Sequence, residues 1–331
     1  MSSASRRSVG AVGLCRIAGT AVVAMLAMLM LAACGQSASG AGSANGDSSS
    51  GRNPDELVFA AVPSENAQSM QQSYQPLIAM LEKELGKKIR FQSATSYSAV
   101  IEAQRTGKVD IAQYGPFSLI TAQNSGVKVT PVAAQTVTKG ATPGYQSYAI
   151  TRPDTGIKSL ADYKGKKICF VDPASTSGYL YPSAALIDAG IDPNKDITPV
   201  MAGGHDASVL AVLHGQCDAG FAEDSMVDIT LPGKGQLKPG ELNVIWKSDV
   251  IAGSPIGVSD DLAPDLKAKI ADVFQTKANV DYFNANGYCI PGCKTADDSG
   301  DWGWSKVDNS FYDGVRKVCE TTKAKQCSGQ S

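Results

Sequence analysis

Histidine is almost absent from this chain of 331 residues, which has only His205 and His214, and neither sign of charge predominates, with 30 lysines and arginines against 32 aspartates and glutamates. A formal net charge of -2 gives no overall pull toward nucleic acid or an anionic membrane surface, so any anion this protein binds must be held by local groups. No sequence repeat recurs at a fixed period, which excludes a solenoid or propeller. With charged residues at 19% and hydrophobic ones at 43%, the composition is that of a soluble globular protein. No cofactor or metal is called for by any motif in the chain.

The amino terminus carries an address. Arg6, Arg7 and Arg16 precede an uncharged run, 17–31, that has the length of a secretory core segment rather than of a membrane span. The run closes on Leu31-Ala32-Ala33-Cys34, which resembles a bacterial lipoprotein signal (residues 1–33); the resemblance implies that Cys34 is acylated and holds the protein on the outer face of the cytoplasmic membrane. Residues 34–53 are almost entirely Gly, Ser, Ala and Asn, too poor in apolar surface to offset the entropy of ordering them, and read as a tether with a root-mean-square reach of roughly 25 Å.

Of the eight cysteines, Cys15 lies in the leader and Cys34 at its end, leaving Cys169, Cys217, Cys289, Cys293, Cys319 and Cys327. An even number in an exported chain reads as disulfides, with fifteen possible pairings. Cys169 with Cys217 is the favoured pair, because both sit in or beside short apolar runs that look like neighbouring strands, and the other four would staple the tail. A zinc site in the tail is the alternative, but Cys289-x3-Cys293 and Cys319-x7-Cys327 do not both have the spacing of zinc knuckles.

From about residue 54 onward, short apolar runs alternate with longer amphipathic stretches, the pattern of parallel strands joined by helices. Strands are expected at 57–62, 88–92, 109–113, 129–137, 146–151, 167–171, 218–222, 242–246 and 255–258. Helices are expected at 71–85, 97–106, 116–123, 179–189, 208–214 and 262–275. The expected architecture is α/β with two lobes, residues 54–148 and 250–331 forming the first and 149–249 the second, hinged about strands near Tyr148 and Ile256. Ligands of such folds sit beyond the carboxyl ends of the strands, in the crevice between lobes.

The loops that would face this crevice are rich in small donors and contain no lysine or arginine: Ser64, Glu65 and Asn66; Tyr114 and Gly115; Ser175, Thr176, Ser177 and Gly178; and Gly203, Gly204 and His205. Ser175-Thr176-Ser177-Gly178 at a helix start offers hydroxyls and free backbone N–H groups where the helix dipole favours an anion, although the same residues would also make a plain N-cap. Asp206 or Ser208 could cap the next helix. Neither serine of this run lies in a G-x-S-x-G elbow and there is no Ser/His/Asp constellation, so an enzyme is not expected.

Four segments in order, Val109-Asp110-Ile111-Ala112-Gln113-Tyr114-Gly115-Pro116, Phe170-Val171-Asp172-Pro173-Ala174-Ser175-Thr176-Ser177-Gly178, Gly204-His205-Asp206-Ala207 and Val244-Ile245-Trp246-Lys247-Ser248, resemble the phosphonate/phosphite/phosphate-binding proteins of ABC importers. The resemblance implies a type II periplasmic-binding-protein fold that closes over a phosphorus oxyanion and delivers it to permease subunits as a monomer. It places Tyr97 and Tyr114 of the first lobe and Ser175, Thr176, Ser177 and His205 of the second on the ligand. Relatives that take aminoalkyl phosphonates hold the ammonium with carboxylates, one just before the proline matching Pro255. Here that position is Ser254, which leaves Glu223 and Asp224 as acidic candidates, Glu223 also being able to accept a phosphate proton. Alternative cargoes are a sulfonate or a thiamine precursor, the latter favoured if Tyr97, Tyr114, Tyr145 and Tyr148 form stacking surfaces.

Overall fold

The computed structural model describes residues 51–289, 292, 293, 296 and 299–328. The leader, Cys34 and most of the tether lie outside the described residues. The tether expected to run to Asn53 is already docked at Arg52, whose guanidinium donates to Asp261 at 2.8 Å and to Asp110 at 2.7 Å. These two carboxylates hold its pKa above the usual arginine value.

The chain alternates strand and helix as its apolar periodicity requires. β1 (Glu56–Ala61) is followed by α1 (Ala67–Ser73), α2 (Gln75–Leu85), β2 (Lys88–Gln92), α3 (Tyr97–Arg105), β3 (Ile111–Gln113), α4 (Pro116–Asn124) and β4 (Val129–Thr136). The single helix expected over 71–85 is two, broken at Tyr74 where Pro76 opens the first turn of α2, and α2 stops at Gly86 in the left-handed conformation. A short strand β5 (Gly144–Tyr145) then leads into β6 (Ser147–Thr151), β7 (Lys167–Phe170), α5 (Tyr181–Asp188), β8 (Thr198–Met201), α6 (His205–Leu213) and β9 (Ala219–Glu223). A π-turn at Met226–Thr230 runs into α7 (Leu231–Gly233), and β10 (Asn243–Lys247) and β11 (Ile251–Ala252) follow. β12 (Pro255–Ser259), α8 (Pro264–Thr276), α9 (Val280–Ala285), β13 (Gly303–Lys306) and α10 (Asp313–Thr322) complete the described chain.

Two sheets result. The first has the order β13-β4-β12-β3-β1-β2 and the second β10-β6-β9-β7-β8. β1 pairs parallel with β2 and β3, whereas β12 and β13 return antiparallel from the end of the chain. Each sheet is buried on both faces. Leu57, Phe59, Leu77, Ile256 and Phe274 pack on one side of the first sheet, and Val58, Val100, Ala112 and Phe117 on the other. In the second sheet Ile150, Val209 and Val212 face one way and Ile168, Leu186 and Phe221 the other. Alternation along each strand makes the two cores possible.

Tyr148 and Ile256, near which the hinge is expected, lie in β6 and β12, just after the points where the chain crosses. The chain crosses twice through the ribbon β5·β11, where Ile251 faces Tyr145 and Ala252 faces Gly144. That ribbon is a separate two-stranded sheet, hydrogen-bonded to neither of the two larger ones.

Cys169 in β7 bonds Cys217 just before β9, Cys289 bonds Cys293, and Cys319 in α10 bonds Cys327. The expected pair and the expected stapling of the tail are both present, and among the described residues no cysteine is left unpaired for zinc.

Candidate functional site

The edges of the two sheets face one another across a cavity of about 190 Å³. Tyr97, Tyr114, Ser175, Thr176, Ser177, His205 and Glu223 all line it, together with Asp224 and Ser254, and no lysine or arginine does among the described residues. Tyr97, Thr176 and His205 are 2%, 1% and 3% exposed, so contacts made here are shielded from water.

The Ser-Thr-Ser run folds as a π-turn over Thr176–Leu180 before α5 begins at Tyr181, two residues later than the helix start expected at 179. The Leu180 N–H donates to the Ser175 carbonyl five residues back, which widens the turn. Ser175 is itself an N-cap, its Oγ accepting from the Gly178 N–H at 3.0 Å. Gly178 is required at this point, since a Cβ would collide with the Val171 side chain. Ser147 Oγ donates to the Ser177 carbonyl at 2.6 Å and ties the turn to β6. Ser177 Oγ is buried without a well-formed hydrogen bond of its own. The second-lobe cradle is therefore both capped and tethered, and each of its hydroxyls keeps a proton to donate.

α6 starts at His205 rather than at Ser208, with Gly204 as its N-cap. Asp206 and Ser208, expected to cap it, do other work: Asp206 accepts from the Asn66 N–H of the first lobe at 3.0 Å, and Ser208 donates to the Phe221 carbonyl. His205 Nδ1 accepts from the Glu223 N–H at 2.9 Å, which puts the ring proton on Nε2. Nε2 lies 3.5 Å from the Tyr97 hydroxyl and 3.9 Å from a Glu223 oxygen. Burial pushes the imidazole pKa down to about 3, so His205 is a neutral donor. Burial, then the Glu223 charge, push the Tyr97 phenol up and keep it protonated.

Tyr114 also lines the cavity, but its hydroxyl proton is donated to Gln104 Oε1 at 2.7 Å inside the first lobe. Tyr145, at the crossing ribbon, lines the cavity beside the Thr176 and Ser177 hydroxyls. Sequence reasoning had it only as a possible stacking surface. Tyr148 is away from the cavity lining, its hydroxyl donating to Asp228 at 2.9 Å. Gln113, two residues before Gly115, also lines the cavity and was missed. The signal was its place in the Val109 to Pro116 motif.

The lobes meet through donors at helix starts. The Phe117 N–H of α4 donates to Thr176 Oγ1 at 2.8 Å, and the Tyr97 N–H of α3 to Asp172 at 3.3 Å. In return the His205 N–H of α6 donates to the Ser64 carbonyl at 2.7 Å. Gly115 permits this approach, because a Cβ there would already stand 3.2 Å from Thr176 Oγ1. Lys234 pairs with Glu65 across the mouth. This is a closed arrangement of the two lobes.

Geometry of this kind is what a solute receptor needs, and the sequence pattern of the family described as "ABC transporter, phosphonate, periplasmic substrate-binding protein" matches residues 59–287. The chain belongs to that family. The phosphate-import protein PhnD of Mycolicibacterium smegmatis is 45% identical over 285 residues, covering 83% of this chain and 88% of the relative. The phosphonates-binding periplasmic protein of Escherichia coli is 34% identical over 222 residues, 66% of this chain and 65% of that one. A crystal structure of a binding protein component of an ABC phosphonate transporter from Pseudomonas aeruginosa superposes with a TM-score of 0.71 at 25% identity, covering 82% of this chain and 87% of the other. The fold is thus the two-lobed type II periplasmic-binding-protein fold. Family members are extracytoplasmic transport components, not enzymes. Among the described residues no group of three His, Cys, Asp or Glu side chains is arranged to hold a metal.

Proposed function

We propose that this phosphonate-binding-family protein captures a small phosphorus oxyanion, phosphate or a phosphonate, by closing its lobes around it and hands it to the permease subunits of an ABC importer. One observation carries the reading: the donors that converge on the cavity from both lobes, Tyr97, Tyr145, Ser175, Thr176, Ser177 and His205, are all uncharged. A hydrogen bond to a charged group is worth about 1.5–3 kcal/mol net, so half a dozen supply on the order of 10 kcal/mol before association costs, enough for roughly micromolar or tighter binding. Neutral dipoles fixed in space select a tetrahedral anion by shape, whereas a buried lysine would accept any anion.

The carboxylates on the same wall make the selection sharper. Glu223 and Asp224 repel a fully ionised oxyanion and favour one that brings a proton or a cationic substituent. Sulfate at neutral pH brings neither. The kinship to a phosphate-import protein and to a phosphonates-binding protein supports both phosphorus classes and does not choose between them. Acylation of Cys34, with residues 35–50 as tether, would keep a monomeric receptor at the membrane beside its permease.

Isothermal titration with phosphate, phosphite, methylphosphonate, 2-aminoethylphosphonate and sulfate tests this directly. At least one phosphorus oxyanion should bind at micromolar concentration or tighter and sulfate at least 100-fold more weakly. Equal binding of sulfate, or no binding of any phosphorus compound, would refute the reading.

A further inference from the structure

The cavity draws its lining from both faces of the first sheet. Along β3, Ile111 and Gln113 point to one face of the first sheet and Ala112 and Tyr114 to the other, as strand alternation dictates. Ile111 packs in the same core as Met70 and Tyr74 of the α1 side, whereas Ala112 and Tyr114 share theirs with Tyr97. The cavity is lined by residues from both faces, Tyr97 and Tyr114 on one and Met70, Ser73, Tyr74 and Gln113 on the other. It therefore wraps around the carboxyl end of β3, from the hydroxyl cradle to a pocket walled by α1.

Gln113 stands in that pocket, 6% exposed, and its Oε1 is enclosed without any hydrogen-bond partner. Its backbone is fully engaged, the carbonyl accepting from the Val62 N–H at 3.0 Å, so the strand itself is not strained by the side chain. A buried acceptor left unpaired is costly and uncommon in native proteins, and in a ligand cavity the natural partner is a donor on the ligand. Val62, Met70 and Tyr74 line the same cavity as Gln113, together with Ser73, so apolar surface is at hand for a short carbon chain, and no lysine or arginine lines the cavity among the described residues.

We infer that Gln113 is a specificity-determining residue: it accepts a hydrogen bond from the part of the ligand turned away from the Ser175–Ser177 cradle, so that the site prefers phosphorus oxyanions bearing a donor there over those presenting only hydrogen or an alkyl group. The inference rests on the phosphorus-oxyanion reading above. The donor has two possible sources, a P–OH of hydrogen phosphate or a hydroxyl or ammonium on a short phosphonate substituent.

Calorimetric affinities of the wild-type protein and Gln113→Leu for phosphate, methylphosphonate, ethylphosphonate, hydroxymethylphosphonate and 2-aminoethylphosphonate test it. The wild type should favour donor-bearing ligands about tenfold or more over alkyl ones of the same size, and Gln113→Leu should erase that preference while keeping methylphosphonate affinity within about threefold. A preference for phosphate over methylphosphonate that depends on Gln113 assigns the donor to P–OH; one for hydroxymethylphosphonate over ethylphosphonate assigns it to the substituent. Should Gln113→Leu fail to fold, Gln113→Glu keeps the shape and strengthens the acceptor, and should raise the preference for 2-aminoethylphosphonate over ethylphosphonate severalfold. Equal losses for every ligand, or a preference that survives both substitutions, would overturn the role of Gln113 alone. Failure of every phosphorus oxyanion to bind the wild type would overturn the parent reading with it.

Discussion

The two lobes bring different things to the same cavity. Site groups of the second lobe are braced from within it: Ser175 caps Gly178, Ser147 holds the Ser177 carbonyl, and the Glu223 N–H orients His205. A disulfide between β7 and the approach to β9 locks the strands beneath them. Groups from the first lobe have fewer such braces. Tyr97 presents its hydroxyl to His205 across the gap, Phe117 gives a helix-start N–H to Thr176, and Gln113 leaves its amide oxygen unpaired. On the function proposed above, the difference implies a division of labour, in which the preorganised second-lobe cradle would receive the anion and the first lobe would complete the shell on closure.

The largest expected effect would break this comparison at its base. Cys169→Ala with Cys217→Ala removes a crosslink spanning 48 residues of sequence, worth about 4 kcal/mol by loop-closure entropy and within a usual range of about 2–5 kcal/mol. Differential scanning calorimetry should show a transition belonging to the second lobe moving to lower temperature ahead of the first. Uniform loss across both lobes would mean that the second is not separately braced.

Next comes a pair of substitutions that sharpens the roles. Thr176→Val removes both a donor of the proposed site and the acceptor for the Phe117 N–H, and should cost one to two orders of magnitude in affinity with the melting temperature within a few degrees of wild type. Tyr97→Phe removes only the hydroxyl supplied by closure and should cost about tenfold, mostly as faster dissociation, since the cradle that first receives the anion is intact. Stopped-flow kinetics separate the two. A slower association in Tyr97→Phe with unchanged dissociation would reverse the assignment of the lobes.

The remaining prediction concerns acid. His205 folds with its pKa lowered to about 3 from an ordinary 6.5, so the unfolded chain binds a proton that the native protein refuses. Stability from this group is whole above pH 6.5 and is lost as pH falls from 6.5 toward 3, by a few kcal/mol at most. Asp172 and Asp224, held above the usual carboxylate range by burial, act oppositely, because the native form keeps a proton that the unfolded chain releases as pH rises past about 4. Chemical denaturation of wild type and His205→Asn at several pH values isolates the histidine: the difference between them should shrink as pH drops from 7 to 4. A constant difference would show that His205 is protonated in the native state.

Much of this site was legible before folding. The Ser-Thr-Ser turn, His205 at a helix start and the Cys169–Cys217 pair all follow from short runs whose meaning is local. Tyr114 and Tyr145 were not separable, because both are tyrosines beside strand ends and only the tertiary packing shows that the Tyr114 hydroxyl donates to Gln104 within its own lobe while Tyr145 meets Thr176 and Ser177. Gln113 was missed for a related reason. Parity says that it and Tyr114 point opposite ways, but not that the cavity reaches both faces. The start of α6 was placed at Ser208 because Asp206 and Ser208 are good caps, and Gly204 served instead since Asp206 is engaged by the first lobe at Asn66.

What the sequence determined by itself was the sort of protein and the sort of chemistry: alternating strands and helices, paired cysteines, and crevice loops stocked with neutral donors, each readable from neighbours within a turn or a strand. What only the tertiary structure decided was which donors converge, since that depends on two sheets joined by a two-stranded ribbon bringing residues as far apart as Tyr97 and His205 to 3.5 Å. Distances across a closed cleft are set by the packing of both lobes at once, and no local pattern carries them.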